Sequence, residues 1–291
     1  MSYLHIDNLY KSQDILLFKE CWALEKVHGT SAHVSWHNRE VSFFSGGEKP
    51  DKFKALFDEE FLKARFLESV GDQKTTVYGE AYGGKCQGMS STYGKELQFI
   101  CFDVRIGDSW LAVPNMADFC RGLGLEVVPH RKILATLEYM DIERDFPSEV
   151  AYLRGCGTDR LREGIVIRPL IEVTKSNGAR IIAKHKAETF SERATPQKVV
   201  NPDKLTVLAD AKAVAEEWVT EMRLTHILDK MPGAGIEQTG DVIRAMIEDV
   251  YREGKGEIVE GKDVGRAIGS KAAEMFKRRI KEAFRAGAVE A

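Results

Sequence analysis

The segment WALEKVHGTS, at residues 22–31, decides how the first part of this chain folds. An apolar run leads into the charged pair Glu25-Lys26, a Gly-Thr-Ser turn follows, and the alternating run Ala32–Trp36 comes next. This order predicts a strand, a loop and a second strand that flank each other, with Lys26 at the mouth of the loop.

Lys26 has two possible roles. It is an ordinary surface lysine where a strand meets a turn, or it is a nucleophile, because burial and neighbouring cations favour the neutral amine of a lysine. The pattern Lys-x-x-Gly alone favours the surface lysine. The remaining segments of the chain favour the nucleophile.

Length and composition indicate a globular chain of one large domain or two ordinary ones. The chain has 291 residues, of which 43% are hydrophobic and 30% charged, and its net charge is −3. A weakly acidic chain does not surround nucleic acid with a basic surface, so it would bind a polyanion only through local basic patches.

Several features favour a cytoplasmic location and exclude some classes of site. No apolar run approaches the roughly 18 residues of a membrane span, and the first residues do not resemble a secretory signal, so we expect no membrane partner. The five cysteines are scattered without a Cys-x-x-Cys pair, which argues against a structural zinc site or a disulfide scaffold.

Strand and helix patterns alternate along the first two thirds of the chain. Helical spacing covers Lys52–Val70 and Val113–Gly124. Strand patterns cover Glu40–Ser45, Thr75–Glu80, Leu97–Ile106, Arg162–Pro169 and Arg180–Lys186. This mixture predicts an α+β domain with antiparallel sheets over residues 1–195.

The last third of the chain is helical in pattern. Thr195-Pro196 and Asn201-Pro202 mark a polar linker, after which residues 203–291 form a predicted all-helical domain. Its three amphipathic stripes run over 205–222, 242–251 and 264–284, the second with a cap at Thr239 or Asp241. The basic cluster at 277–281 is either a solvated helix face or a phosphate-binding patch.

Charged residues stand at the ends of several predicted strands, where a sheet would bring them to one cleft. Lysines neutralise phosphate oxygens, carboxylates hold Mg²⁺ or ribose hydroxyls, and an aromatic ring stacks on a base. The pattern therefore indicates a site for a phosphate-bearing substrate. Its candidate residues are Lys26, His28, Glu80, Phe102, Glu163, Lys184 and Lys186.

These segments, in this order, resemble the motifs of the covalent nucleotidyltransferases, which are the ATP-dependent ligases and capping enzymes. The Glu-Lys-x-His-Gly-Thr form, and Lys184-x-Lys186 followed by Phe190-Ser191-Glu192, are similar to the RNA ligase 2 branch. The resemblance covers roughly residues 20–193. It implies an antiparallel-sheet nucleotidyltransferase (ATP-grasp-like ligase) domain followed by a small helical domain.

The resemblance implies an ATP-dependent RNA ligase that uses ATP and Mg²⁺ (or Mn²⁺) in RNA repair. Such an enzyme joins a 3′-OH and a 5′-phosphate RNA end through a lysyl-AMP intermediate and an adenylylated RNA 5′ end. Whether the ends lie in a nicked duplex, a broken loop or free strands stays open, as does the oligomeric state. The alternatives are a DNA ligase-like or 5′-end adenylylating enzyme, and a non-catalytic protein that binds nucleic-acid ends.

The resemblance also implies roles for the catalytic residues. Lys26 would attack the α-phosphorus of ATP, and Lys184 and Lys186 would favour its neutral form and stabilise charge on the α-phosphate. Glu163 would bind a metal ion or orient Lys26. His28 would orient the leaving pyrophosphate.

Three further residues would bind the nucleoside. Glu80 would hold the ribose hydroxyls, Phe102 would stack on adenine, and Glu25 would help to read the adenine edge. The chain departs from the branch where an arginine usually follows the Phe43-Phe44 strand, because Ser45-Gly46-Gly47 stands there. Arg39 or Lys49 is a possible substitute.

Overall fold

A computed structural model gives the fold and describes residues 3–191 and 210–287, with side chains to residue 283. Its contacts divide the chain into two compact units, Met1–Ala187 and Glu188–Ala291. The predicted linker and the predicted domain limits at 195 and 203 lie outside the described residues. No helix of the described segments is long and apolar enough to cross a membrane.

The first unit contains two antiparallel sheets, as the strand patterns predict. The strands run in the order β7-β1-β8-β9 in the first sheet and β3-β2-β4-β5-β6 in the second. Their bounds are β1 Glu20–Lys26, β2 Thr30–His37, β3 Glu40–Ser45, β4 Thr75–Gly83, β5 Leu97–Ile106, β6 Ser109–Trp110, β7 His130–Leu134, β8 Gly164–Pro169 and β9 Ala183–Lys186.

The strands on either side of the Lys26 loop belong to different sheets. The prediction of two strands around this loop is confirmed, but β1 pairs with β7 and β8, whereas β2 pairs with β3 and β4. The loop therefore crosses from one sheet to the other. Lys26, as the last residue of β1, lies at this crossing.

Strand register decides which side chains share a face. In the first sheet Lys26 lies opposite Gly164, which in turn lies opposite Lys186. In the second sheet Ser31 lies opposite Glu80. Directly opposite residues in antiparallel strands project to the same face, so Lys186 shares the face of Lys26, and Glu80 shares the face of Ser31. The short loop from Lys26 to Thr30 joins these ends of the two sheets.

The other face of the second sheet is the hydrophobic core of this unit. Alternate residues such as Val34 and Val77 are fully buried there, and the Trp36 ring stacks on Phe66 with centroids 5.7 Å apart. Full burial of such side chains contributes about 1.5–3 kcal/mol each. The helices of this unit are α1 Pro50–Lys54, α2 Glu59–Val70, α3 Ser90–Tyr93, α4 Val113–Gly122, α5 Leu137–Arg144 and α6 Glu149–Leu153.

The single helix predicted over Lys52–Val70 is wrong, because two helices occupy this region. The side chain of Asp58 accepts a hydrogen bond from the backbone N–H of Phe61 and so caps a new helix, α2. The predicted helix Val113–Gly124 is present but ends at Gly122. The short elements β7, α5 and α6 have no counterpart in the predictions.

The second unit is helical, in agreement with the sequence pattern. Its helices in the described part are α7 Ala211–Trp218, α8 Glu221–Asp229, α9 Thr239–Glu253 and α10 Lys262–Gly287. They share a core of apolar side chains that includes Trp218, Met246, Ile268 and Phe276. Three residues of the predicted apolar stripes lie outside the residues whose side chains are described, namely Leu205, Leu208 and Phe284.

Two details of the helical unit differ from the predictions. The first stripe covers two helices rather than one, because the Thr220 side chain accepts a hydrogen bond from Arg223 N–H and starts α8. The predicted cap at Thr239 or Asp241 is wrong, since Gln238 precedes α9 and makes no side-chain cap bond. In the basic cluster, Lys277, Arg278 and Arg279 are exposed, and Arg278 pairs with the exposed Glu221 at 2.5 Å, which favours a solvated helix face.

Candidate active site

The carboxylate of Glu163 is the centre of the site. Its Oε2 lies 2.9 Å from Lys26 Nζ and 3.1 Å from His28 Nδ1, and its Oε1 lies 3.0 Å from Lys186 Nζ. Glu163 precedes β8, Lys26 ends β1 and Lys186 ends β9, so three neighbouring strands deliver these groups. The structure thus brings together four of the predicted residues on one buried carboxylate.

The charge on Glu163 is set by two opposing effects. Burial raises the pKa of this carboxyl, but the Lys26 and Lys186 ammonium groups outweigh burial and hold the pKa well below its usual range. Glu163 is therefore ionised at neutral pH. One negative charge then serves two lysines, so the site is rich in positive charge and suits a phosphate group.

Gly164 allows these strands to come close enough for this arrangement. Its φ is +150°, and a Cβ at this position would lie 2.2 Å from the backbone oxygen of His185. A side chain would therefore push β9 away from β8. Because Gly164 lies between Lys26 and Lys186 in the register, the glycine lets both lysines reach Glu163.

Glu80 faces the same end of the site from β4. Burial raises the pKa of its carboxyl to about 7, Lys26 opposes this shift, and the negative charge of Glu163 adds to it. The Glu80 carboxyl consequently titrates near neutral pH. Such a group can accept hydrogen bonds from hydroxyls or share a cation with a phosphate.

A cavity of about 130 Å³ opens beside Lys26. Leu24 and Val166 line it from the first sheet, and Phe102 lines it from the second. Phe102 is the extra residue of a β-bulge, because Tyr78 pairs with Asp103 while Gly79 pairs with Cys101. The bulge brings the Phe102 ring to the cavity, where a planar base has an apolar slot.

Lys184 lies two residues before Lys186 on β9. It pairs in register with Val166, a cavity residue, so Lys184 shares the face of the cavity. Its backbone also binds the N-terminal segment through Asp7 O and Leu9 N. The predicted role of Lys184 beside a phosphate fits this placement and stays a prediction.

Glu25 lines the cavity, and hydrogen bonds within the protein hold its carboxylate. Its predicted role at the adenine edge stays a prediction. Its carboxylate accepts hydrogen bonds from Ser148 Oγ at 2.5 Å and from the backbone N–H of Glu149 at 2.9 Å. These groups begin helix α6. Because residues alternate along a strand, the Glu25 side chain points away from the face that carries Lys26.

Several site residues carried no usable signal in the sequence. The Tyr93 hydroxyl accepts the backbone N–H of His28 at 3.3 Å and so fixes the loop. Tyr3 packs edge-on against Phe102 at 4.9 Å and donates to Asp103 at 2.7 Å. Only the fold brings these distant residues to the site.

Neither proposed substitute for the missing arginine is shown to take its place. Arg39 lies in the β2–β3 turn, at the opposite end of the hairpin from Ser31, and binds Asp72 at 2.7 Å. Lys49 is an exposed residue just before α1. Ser45 ends β3 as predicted, and Gly46 donates its N–H to Ser31 O.

A divalent metal ion fits the site only together with phosphate oxygens. The described residues contain no cluster of three His, Cys, Asp or Glu side chains that could hold a metal by themselves. Glu163 and Glu80 are the carboxylates at this end of the sheets, and Mg²⁺ is commonly bound by one or two carboxylates plus substrate phosphates. The residues present therefore fit a metal that arrives with a nucleotide.

The fold matches that of known RNA ligases. The structure of Naegleria gruberi RNA ligase with PPi aligns with a TM-score of 0.50 and 16% sequence identity. The alignment covers 65% of this chain and 57% of the Naegleria chain. A point mutant of that ligase with ATP and Mn aligns over the same fractions of the two chains, with 15% sequence identity and a TM-score of 0.51. This chain thus spans little more than half of that ligase.

A comparison by sequence gives the family. No curated protein sequence matches the chain significantly. The family described as RNA ligase matches residues 19–186, which is more than half of the chain and includes every residue assigned above to the Glu163 centre. The chain therefore belongs to the RNA ligase family.

Proposed function

We propose that this chain is an ATP-dependent RNA ligase of the RNA ligase 2 branch, which joins a 3′-OH and a 5′-phosphate RNA end. The observation that carries the proposal is the convergence of Lys26, His28 and Lys186 on Glu163, beside a cavity that ends at Phe102. A protein that only binds RNA ends has no need of a lysine held on a buried carboxylate beside such a cavity.

In the first step Lys26 is the nucleophile. Its Nζ, after loss of a proton, attacks the α-phosphorus of ATP, so that an N–P bond forms and the bond to pyrophosphate breaks. Lys186, two strands away on the same carboxylate, stabilises the charge on the α-phosphate oxygens. His28 lies 3.1 Å from Glu163, where it can orient the leaving pyrophosphate.

The nucleoside part of ATP fits the cavity. The Phe102 ring and the side chain of Val166 offer two apolar surfaces for adenine. Glu80, a hydrogen-bond acceptor at the same end, suits the ribose hydroxyls. A bound Mg²⁺ or Mn²⁺, held by Glu163 or Glu80 with the phosphates, would supply further neutralisation of phosphate charge.

The next two steps use the same site. The RNA 5′-phosphate attacks the phosphorus of lysyl-AMP, which breaks the N–P bond and leaves AMP joined to the RNA end. The 3′-OH then attacks the 5′-phosphorus, forms the phosphodiester bond and releases AMP. Lys184 and Lys186 lie on the cavity face of β9, where they can stabilise the phosphate charges in both steps.

Labelling with ATP tests the first step. The protein is incubated with Mg²⁺ and ATP labelled at the α-phosphate, beside Lys26→Ala and the control Lys132→Ala, which removes a half-exposed lysine from β7. We expect label on the wild type and on the control but not on Lys26→Ala. Label on Lys26→Ala would refute the nucleophile, and a folded, unadenylylated wild type without label would favour the end-binding alternative.

A joining assay with RNA and DNA ends distinguishes the remaining alternatives. The adenylylated protein is offered 5′-phosphorylated RNA and DNA of one sequence, as free strands and as nicked duplexes, each with a 3′-OH end. Sealed RNA supports the proposal. Sealing of DNA alone indicates a DNA ligase-like enzyme, and accumulation of adenylylated 5′ ends without sealing indicates a 5′-end adenylylating enzyme.

A further inference from the structure

A row of packed aromatic rings crosses the second sheet beside the cavity. The His33 ring stacks on Phe44 with centroids 4.9 Å apart and an angle of 22°, and it lies 5.8 Å from Tyr78. Tyr78 in turn lies 5.0 Å from Tyr3, which packs against Phe102. We call Phe44, His33 and Tyr78 the aromatic row. It connects the edge of the sheet to the cavity wall.

The register places this row on the active-site face of the sheet. His33 pairs with Phe44 on one side and with Tyr78 on the other. The next pair on the same face is Ser31 with Glu80, both of which line the cavity. Two residues of strand span about 7 Å, the length of roughly one nucleotide step, so the row lies one such step from the cavity.

Phe44 is the accessible ring of this row. It is 47% exposed, whereas His33 is 8% exposed. The strand that carries Phe44, β3, is an edge strand of the sheet, and one face of the ring lies on His33. The neighbouring Phe43 projects to the opposite face, where it stacks on Phe57 in the core at 4.9 Å. The exposure of Phe44 is thus specific to the active-site face.

The row is aromatic in character rather than charged. Burial lowers the pKa of His33 to about 4, so its ring is neutral at neutral pH and serves as a stacking partner. Ser45-Gly46-Gly47 follows Phe44 where the branch usually carries an arginine, and Arg39 lies at the other end of the hairpin. With a net charge of −3, the chain has little overall attraction for a polyanion.

We propose that the aromatic row is a stacking platform for a base of the RNA strand that is being joined, with Phe44 as the ring that contacts it. This inference rests on the proposed function. Proteins that bind single-stranded RNA stack its bases on aromatic rings, and such stacking tolerates any base. Stacking on the platform would supply part of the RNA affinity that a basic side chain after Phe44 would otherwise supply.

Binding of a 5′-phosphorylated RNA oligonucleotide, measured by fluorescence anisotropy, tests the platform. The variants are Phe44→Ala, Phe44→Leu and Phe44→Tyr, and the matched control is Phe61→Ala, which removes a ring of equal exposure, 48%, from α2. We expect Phe44→Ala and Phe44→Leu to weaken binding by about 5- to 150-fold, the range of one base–aromatic stack. Phe44→Tyr and Phe61→Ala should bind as the wild type does.

Photocrosslinking locates the contact directly. RNA that carries 5-iodouridine at each of its three terminal positions in turn is irradiated on the protein, and mass spectrometry identifies the modified peptide. A crosslink on Phe44 or His33 that is lost in Phe44→Ala supports the platform. Wild-type affinity of Phe44→Ala and Phe44→Leu, or crosslinks confined to other peptides, would overturn it.

The two proposals fail in different ways. Labelling of Lys26 by ATP, in the same protein samples, reports the first chemical step and a folded site. Label without any effect of Phe44→Leu on RNA binding would overturn the platform and leave the ligase intact. A loss of RNA binding in Phe44→Leu with no label on the wild type would support the platform and refute the ligase.

Discussion

Glu163 shows how one residue can organise the chemistry of a site. It is 2% exposed and yet ionised, because two lysines and a histidine surround its carboxylate. This cluster lies within the residues that match the RNA ligase family, and the sequence had made each of its residues a candidate. What the sequence did not show is that the three partners share a single carboxylate.

The change Glu163→Gln keeps the shape of the side chain and removes its charge. Lys26 and Lys186 then lose their shared counter-charge and their fixed positions, so lysyl-AMP formation should slow by about 100- to 1,000-fold, as when one preorganised electrostatic group is removed. The rate of label transfer from ATP measures this effect. Glu68→Gln, on the surface of α2, is the control. A rate within a few-fold of the wild type would contradict the role of Glu163.

Glu80 makes the stability of the fold depend on pH. Burial raises the pKa of Glu80 to about 7 from 4.5, so between these values the folded chain holds a proton that the unfolded chain has lost. This contribution to stability is present in full below about pH 4.5 and is lost as pH rises through about 7. In Glu80→Gln, which does not titrate, this contribution is absent.

Urea unfolding at pH 5 and pH 8 measures the effect of Glu80. From pH 5 to pH 8 the wild type should lose about 1–3 kcal/mol more stability than Glu80→Gln does, at roughly 1.4 kcal/mol for each pKa unit. Groups far from Glu80 titrate equally in both proteins, so the difference reports Glu80 together with its coupling to Lys26 and Glu163. Equal losses in the two proteins would show that its carboxyl titrates normally.

At the scale of elements, local pattern predicted single strands well. Glu40–Ser45 and Leu97–Ile106 have the predicted bounds, because a run of apolar and β-branched residues between turn signals depends only on neighbouring residues. Local pattern could not predict the sheet to which each strand belongs. β1 and β2 joined separate sheets because of pairing with β8 and β4, which lie far away in the sequence.

Short elements and supporting contacts were beyond local pattern. Helix α6 has five residues, too few for a helical period, and so it was not predicted. The contact between the Glu25 carboxylate and the start of α6 could therefore not be predicted from the sequence. Tyr3 escaped prediction for a related reason, since only its packing on Phe102 shows that it belongs to the cavity.

Glu25→Ala tests whether the Glu25 carboxylate supports α6 or reads the adenine edge. The change removes the acceptor of two hydrogen bonds at the start of α6, at 2.5 Å and 2.9 Å, and should lower the free energy of unfolding by about 1–3 kcal/mol. The preference for ATP over GTP in Lys26 labelling should not change. Glu20→Ala, on the same strand, is the control for stability. Normal stability with a loss of ATP preference would instead assign the Glu25 carboxylate to the adenine edge.

At the scale of the whole molecule, the candidate active site and the all-helical region belong to separate units. The first unit, Met1–Ala187, contains all the main candidate site residues, which are Lys26, Glu80, Phe102, Glu163, Lys184 and Lys186. The second unit has a hydrophobic core of its own around Trp218 and Met246. A unit with its own core should tolerate changes in the other core, and this independence predicts different effects for two similar substitutions.

The two substitutions, Met246→Ala and Met116→Ala, each remove a fully buried methionine. Met246 belongs to the core of the helical unit, and Met116 belongs to the core behind the second sheet. Each should destabilise its own unit by about 2–5 kcal/mol, the usual cost of such a cavity. In moderate urea, Met116→Ala should lose Lys26 labelling by ATP while Met246→Ala retains it, because only the first unit supplies the groups that react. Circular dichroism follows the loss of helix in parallel. If Met246→Ala lost labelling at the same urea concentration as Met116→Ala, the helical unit would have to contribute to the first chemical step itself.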